Sequence, residues 1–137
     1  MELLIVRHGE SVANADGRMQ GQSDYPLSEA GERQAALRGR FLKNAGLRFD
    51  AAYTSPLTRA RATALALTTA LGIPEAQLTP DLSELHAGSL QGLTRPEIDA
   101  SFPTFMRRGL SVLGDFSEYG GESYDDVQTR VARLKAR

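Results

Sequence analysis

Residues Leu3-Leu4-Ile5-Val6 form a continuous apolar run that ends abruptly in Arg7-His8-Gly9-Glu10. Such a run suits a strand buried on both faces of a parallel sheet, with the polar residues at its carboxyl end. Beyond a polar loop, Leu27, Ala30, Gln34, Leu37, Phe41 and Ala45 recur at three- and four-residue steps. This spacing predicts one amphipathic helix, with Ser28 as N-cap and Gly46 as its stop. Phe49 to Thr54 reads as a second strand running into Ser55-Pro56, where Ser is placed to cap and Pro to take the first helical position. The next helix is apolar at Leu57, Ala60, Ala64, Leu67 and Leu71 and stops at Gly72. Gln77 to Leu82 reads as a third short strand, and Ser83 to Gly92 as a loop. Thr94-Arg95-Pro96-Glu97 has the form of a capping box. Phe102 to Tyr119 is irregular, and Ser123 with Asp126 opens a last helix that is apolar at Tyr124, Val127, Val131 and Leu134.

Strands alternate with helices, which predicts an α/β fold with a mostly parallel sheet. The chain of 137 residues, 41% hydrophobic and 24% charged, suits a single domain. A net charge of -1 gives no bulk attraction for nucleic acid or membrane, so a bound anion must be met by a local cluster. The absence of Cys excludes disulfides, thiolate metal sites and a cysteine nucleophile, and two His make a His-rich metal site a poor expectation. The apolar run at residues 3–6 is too short for a signal or membrane segment. A soluble cytoplasmic protein is expected.

In open α/β sheets, ligands collect beyond the carboxyl ends of the strands. Arg7 and His8 fall at one such end, and Arg59 and Arg61 lie in the first turns after another. Guanidinium forks and a helix N-terminus around one point suit a phosphate. Only Lys43 and Lys135 of the 16 basic residues are not Arg, so Arg61 is read as an ordinary surface residue.

Leu4-Ile5-Val6-Arg7-His8-Gly9-Glu10-Ser11 with Asn14 resembles the signature of the histidine phosphatase superfamily, also called phosphoglycerate mutase-like. The resemblance continues through Gly21-Gln22, Asp24-Tyr25-Pro26-Leu27-Ser28, Gly31 and Gln34-Ala35. It resumes at Tyr53-Thr54-Ser55-Pro56-Leu57-Thr58-Arg59-Ala60 with Thr63-Ala64, at Leu82-Ser83-Glu84 with Gly88 and Gly92, and at Gly120-Gly121-Glu122-Ser123. Five blocks in order cover nearly the whole chain. The fold implied is a three-layer α/β/α sandwich.

By this resemblance His8 is the nucleophile that becomes phosphohistidine, Arg7 and Arg59 clamp the phosphate, and Asn14 adds a contact. Gly21 and Gln22 belong to the substrate-binding surround. Glu84 matches the carboxylic acid that gives the leaving alkoxide its proton, so it must carry a proton at the working pH. Ser11 and Ser55 either touch phosphate or cap, and Glu10 has no assigned chemistry. No metal and no cofactor are called for. The expected substrate is a small phosphorylated metabolite, with no nucleic acid or membrane partner.

His86 stands where the mutase branch has a His, but the Arg and Tyr around that His are here Leu85 and Ala87. The reading is therefore a phosphatase acting on small phosphate monoesters. The alternatives are a cofactor-dependent phosphoglycerate mutase or a noncatalytic phosphate-binding module. Family members also carry a second His, in a His-Gly pair on a later strand that this sequence does not reach. A C-terminally incomplete record, a genuine short product, or a homodimer in which another copy supplies the strand would each account for this. The first is favoured, because the apolar face of the last helix implies something further to pack on. Without that strand, the run at residues 3–6 would be left as an unpaired apolar edge. The Phe102 to Tyr119 segment is expected to cover the site and set which ester fits.

Overall fold

The structure, a computed structural model, describes residues 3–105 and 115–135. In chain order the elements are α1 (Val12–Ala15), α2 (Glu29–Asn44), β1 (Tyr53–Thr54), α3 (Thr58–Leu71), β2 (Gln77–Leu78), α4 (Arg95–Ser101) and α5 (Tyr124–Lys135). Single 3-10 turns occur at Pro80–Leu82, Gly88–Leu90 and Ser117–Tyr119. Among the described residues, no helix is long and apolar enough to cross a membrane. The chain divides into two compact units, one of Met1–Val12 and Tyr25–Thr79, the other of Ala13–Asp24 and Pro80–Arg137.

In the first unit, β1 and β2 pair in parallel, with Tyr53 opposite Gln77 and Thr54 opposite Leu78. The α/β class and the parallel pairing are as the sequence predicts. The strands are shorter than expected, because β2 gives way after two residues to the Pro80–Leu82 turn. Residues 3–6 form no strand. Without a ladder partner among the described residues, the run lies open, with Leu3 77% and Ile5 84% exposed.

Helix α2 begins and ends where the sequence predicts, since Ser28 accepts a hydrogen bond from the Gly31 N–H and Gly46 takes a positive φ. Its buried face is a correction. Gly31, Ala35, Gly39 and Leu42 are buried, whereas Leu37 and Phe41 of the predicted stripe are 57% and 69% exposed. The reason is a close helix pair: a Cβ on Gly39 would stand 2.8 Å from the Ala70 Cβ on α3. Small side chains, rather than large ones, let the two helices approach.

Helix α3 starts later than predicted. Its N-cap is Leu57, which offers no side-chain cap, and Ser55 Oγ instead accepts from the Leu57 N–H at 3.2 Å. A Ser hydroxyl that takes the N–H two residues on makes a turn in place of a cap. Gly72 ends the helix in the left-handed conformation. The residues α3 buries are polar ones, Arg59, Thr63 and Thr68.

The second unit has its own core of Ala87, Leu90, Ile98, Phe105 and Phe116, flanked by Met19, Leu85, Leu93, Phe102 and Tyr119. The Tyr119 ring meets Phe102 and Phe105 edge-on, with centroids 5.4 and 5.5 Å away. The flanks of the irregular aromatic segment therefore build a core. Its middle, residues 106–114, expected to cover the site, lies outside the described residues. The Thr94 capping box opens α4, and Ser123 and Asp126 exchange hydrogen bonds at the start of α5.

Candidate active site

The segment that carries His8 is fixed by backbone contact before any side chain is considered. A Cβ on Gly31 would fall 1.9 Å from the Glu10 carbonyl oxygen, so residues 9–10 can lie against the first turn of α2 only because Gly stands there. Glu10 completes the junction. Its N–H donates to Gln34 Oε1 at 2.9 Å, its carbonyl accepts from the Ser28 N–H, and its carboxylate accepts from the Ser28 hydroxyl at 2.6 Å. On the other side, the Gly9 N–H donates to Thr63 Oγ1, whose hydroxyl donates to the Arg59 carbonyl at 2.8 Å.

These bonds bring His8 to Arg59. His8 Nδ1 lies 2.6 Å from the Gly9 carbonyl oxygen, which can only accept, so Nδ1 holds the proton. Arg59 Nε, which can only donate, meets Nε2 at 3.3 Å, so the lone pair is on Nε2. Arg59 itself is 1% exposed. A neutral imidazole with a defined tautomer beside a buried guanidinium can attack an electrophile and stabilise negative charge next to it. Arg7 is exposed, and its carbonyl accepts from Arg38 at 3.3 Å. Ser11 is fully buried and bridges to Leu27.

Asn14, Gly21, Gln22 and Glu84 belong to the second unit. Asn14 sits exposed in α1, and Glu84 is exposed in the stretch between two 3-10 turns. Gly21 adopts φ of +50°, and a Cβ there would lie 3.0 Å from the Leu85 carbonyl oxygen and the Ala87 nitrogen. Gln22 donates from both its backbone and its side chain. Its backbone N–H donates to Gln91 Oε1 at 2.7 Å, and its side-chain Nε2 donates to the Glu84 carbonyl at 2.9 Å and to Glu122 Oε2 at 3.3 Å.

The sequence reading assigned no role to Glu122 beyond its place in the Gly-Gly-Glu-Ser block, and none to Arg130. Arg130, on α5, donates to both oxygens of Glu122, at 2.8 and 3.2 Å. Burial pushes the Glu122 carboxyl up, but hydrogen bonds from Arg130 and the His86 N–H outweigh it and hold the group below its ordinary value. His86 Nδ1 accepts from the Gly88 N–H at 3.1 Å. Among the described residues, no group of three His, Cys, Asp or Glu side chains is disposed to hold a metal ion.

A family model described as the histidine phosphatase superfamily (branch 1) matches residues 3–137, and the chain belongs to that superfamily. A metal-independent phosphoserine phosphatase of Arabidopsis thaliana is 41% identical over 131 residues, which are 94% of this chain and 54% of that protein. A 2,3-bisphosphoglycerate-dependent phosphoglycerate mutase of Hamiltonella defensa is 41% identical over 121 residues, 82% of this chain and 47% of that one. The structure of a mycobacterial glucosyl-3-phosphoglycerate phosphatase complexed with VO3 superposes with a TM-score of 0.80 at 36% identity, covering 94% of this chain and 62% of that chain. The chain spans about half the length of the curated relatives it matches.

Proposed function

We propose that this chain carries the phosphoryl-transfer site of a phosphatase that hydrolyses small phosphate monoesters through a phosphohistidine at His8. The observation that carries the reading is the His8 tautomer. Its Nδ1 proton is committed to the Gly9 carbonyl, and the lone pair on Nε2 faces a buried guanidinium. In the first step Nε2 attacks phosphorus, and the P–O bond to the alcohol breaks. Arg59 and Arg7 oppose the charge on the non-bridging oxygens, with Asn14, Gly21 and Gln22 in the substrate surround. Glu84, as a carboxylic acid, gives its proton to the departing alkoxide. As a carboxylate it then takes a proton from the water that attacks the phosphohistidine, and inorganic phosphate leaves.

Two of the named relatives are phosphatases, of phosphoserine and of glucosyl-3-phosphoglycerate, which supports a small phosphorylated metabolite as substrate. The mutase relative keeps an isomerase as the second reading. Against it stand Leu85 and Ala87, which here pack with the apolar core and offer no charge to a second acidic group of the substrate. The test is incubation with 32P-labelled substrate followed by rapid quench in base, which preserves phosphohistidine. Base-stable, acid-labile label in the wild type and none in His8→Ala is the expected result. Turnover retained in His8→Ala would end the mechanism.

A further inference from the structure

The main chain on both sides of Glu84 is held by one pair of side chains, a buried arginine and a half-buried glutamate. Arg130, 8% exposed, donates through one terminal nitrogen to the Asp81 carbonyl at 2.8 Å and through the other to the Glu84 carbonyl at 3.3 Å. Glu122 closes the other side, because its Oε2 accepts from the His86 N–H at 2.8 Å and its own N–H donates to the His86 carbonyl at 2.9 Å. The two side chains are bound to each other, and Gln22 spans from the Glu84 carbonyl to the Glu122 carboxylate. Residues 81, 84 and 86 are thus tied to one carboxylate–guanidinium pair, while Glu84 itself remains exposed.

We propose that Glu122 and Arg130 are positioning residues that fix the Glu84 main chain and so set the reach of its carboxyl toward the leaving oxygen. This rests on Glu84 serving as the general acid, as set out above. A guanidinium suits the task because its planar fork bonds a carboxylate and two carbonyls at once, which an ammonium on a flexible stem does not. A pair kept only for stability would be indifferent to what leaves the phosphorus. A pair that aims an acid affects the reaction in proportion to how much the leaving group needs a proton.

The experiment compares kcat/KM, which reports the first chemical step, for phenyl phosphate and p-nitrophenyl phosphate. Phenolate is the more basic leaving group and depends more on the acid. In Arg130→Lys and in the milder Glu122→Gln, phenyl phosphate should lose about 10- to 100-fold more than p-nitrophenyl phosphate. In a Glu84→Gln background the same changes should add no such preference. Amide exchange at His86 and along residues 84–91 should accelerate in both variants. Equal losses on the two esters, or no loss, would overturn the proposal. If the wild type cleaves neither ester, the phosphatase reading falls. Exchange then decides the positioning role separately, and unchanged protection of the His86 amide would overturn it.

Discussion

Arg59 in the first unit and Arg130 in the second are both almost completely buried, yet they touch groups with different work to do. Arg130 spends its donors on the carboxylate of Glu122 and on two backbone carbonyls, so its charge is answered within the fold. The Nε of Arg59 donates to Nε2 of His8, the proposed nucleophile. Burying a guanidinium costs several kcal/mol unless strong partners answer it. A guanidinium answered by a carboxylate is a fixed part of the architecture. One whose Nε touches the proposed nucleophile stands where negative charge grows when phosphorus is attacked.

The sharpest way to break this contrast is to change the two arginines alike. Arg59→Lys keeps the charge and loses the fork, and under the proposed reaction kcat/KM for p-nitrophenyl phosphate should fall about 10²- to 10³-fold. Arg130→Lys should lose less on this ester and show a clear drop in melting temperature, because Glu122 loses its bidentate partner. If Arg59→Lys behaves like Arg130→Lys, the two guanidinium groups do the same work and the contrast is wrong.

A smaller effect is expected at the seam between residues 9–10 and α2. Gly31→Ala places a methyl group where the Glu10 carbonyl stands, so the backbone must shift. Such overpacking costs about 1–3 kcal/mol, readable as a lower urea midpoint. Because Glu10 neighbours the segment that holds His8, activity should fall with stability. Gly17→Ala is a control with positive φ and nothing within 4 Å, so its cost is conformational alone and activity should be kept.

The parts of this fold legible in the sequence are those decided within three or four residues. Ser28, Gly46 and Gly72 bound their helices, and Thr94 with Glu97 and Ser123 with Asp126 form their boxes, because each bond joins a side chain to backbone close by. The buried face of α2 was not legible, since Gly39 and Ala35 are buried only because α3 is there to meet them. The pairing of His8 with Arg59 spans 51 residues, and in the sequence it rests on placing both beyond the ends of predicted strands and on the motif blocks. Glu122 stood in a quoted block, which could have marked it. Arg130 carried no local signal, because its partners at 81, 84 and 122 are brought to it by tertiary structure alone.

The smallest effect concerns acid, and it belongs to the second unit. Glu122 is held below its ordinary value by the Arg130 and His86 bonds that outweigh its burial, and Asp126 is lowered by the hydroxyl and N–H of Ser123. Glu97 is lowered in the same way by the N–H and hydroxyl of Thr94. A carboxyl whose value is depressed by folding stabilises the protein above its unfolded-state value, and that contribution is lost as pH falls through the folded-state value. The urea midpoint should therefore decline from about pH 6 to about pH 3. Glu122→Gln, which cannot titrate, should start from a lower midpoint and decline less. Glu97 and Asp126 are exposed, so Glu97→Gln and Asp126→Asn should flatten the curve less than Glu122→Gln does. Equal slopes in the wild type and Glu122→Gln would show that the bond to Arg130 does not depend on the charge of the carboxyl, and that the brace around Glu84 is held by shape and neutral hydrogen bonds instead.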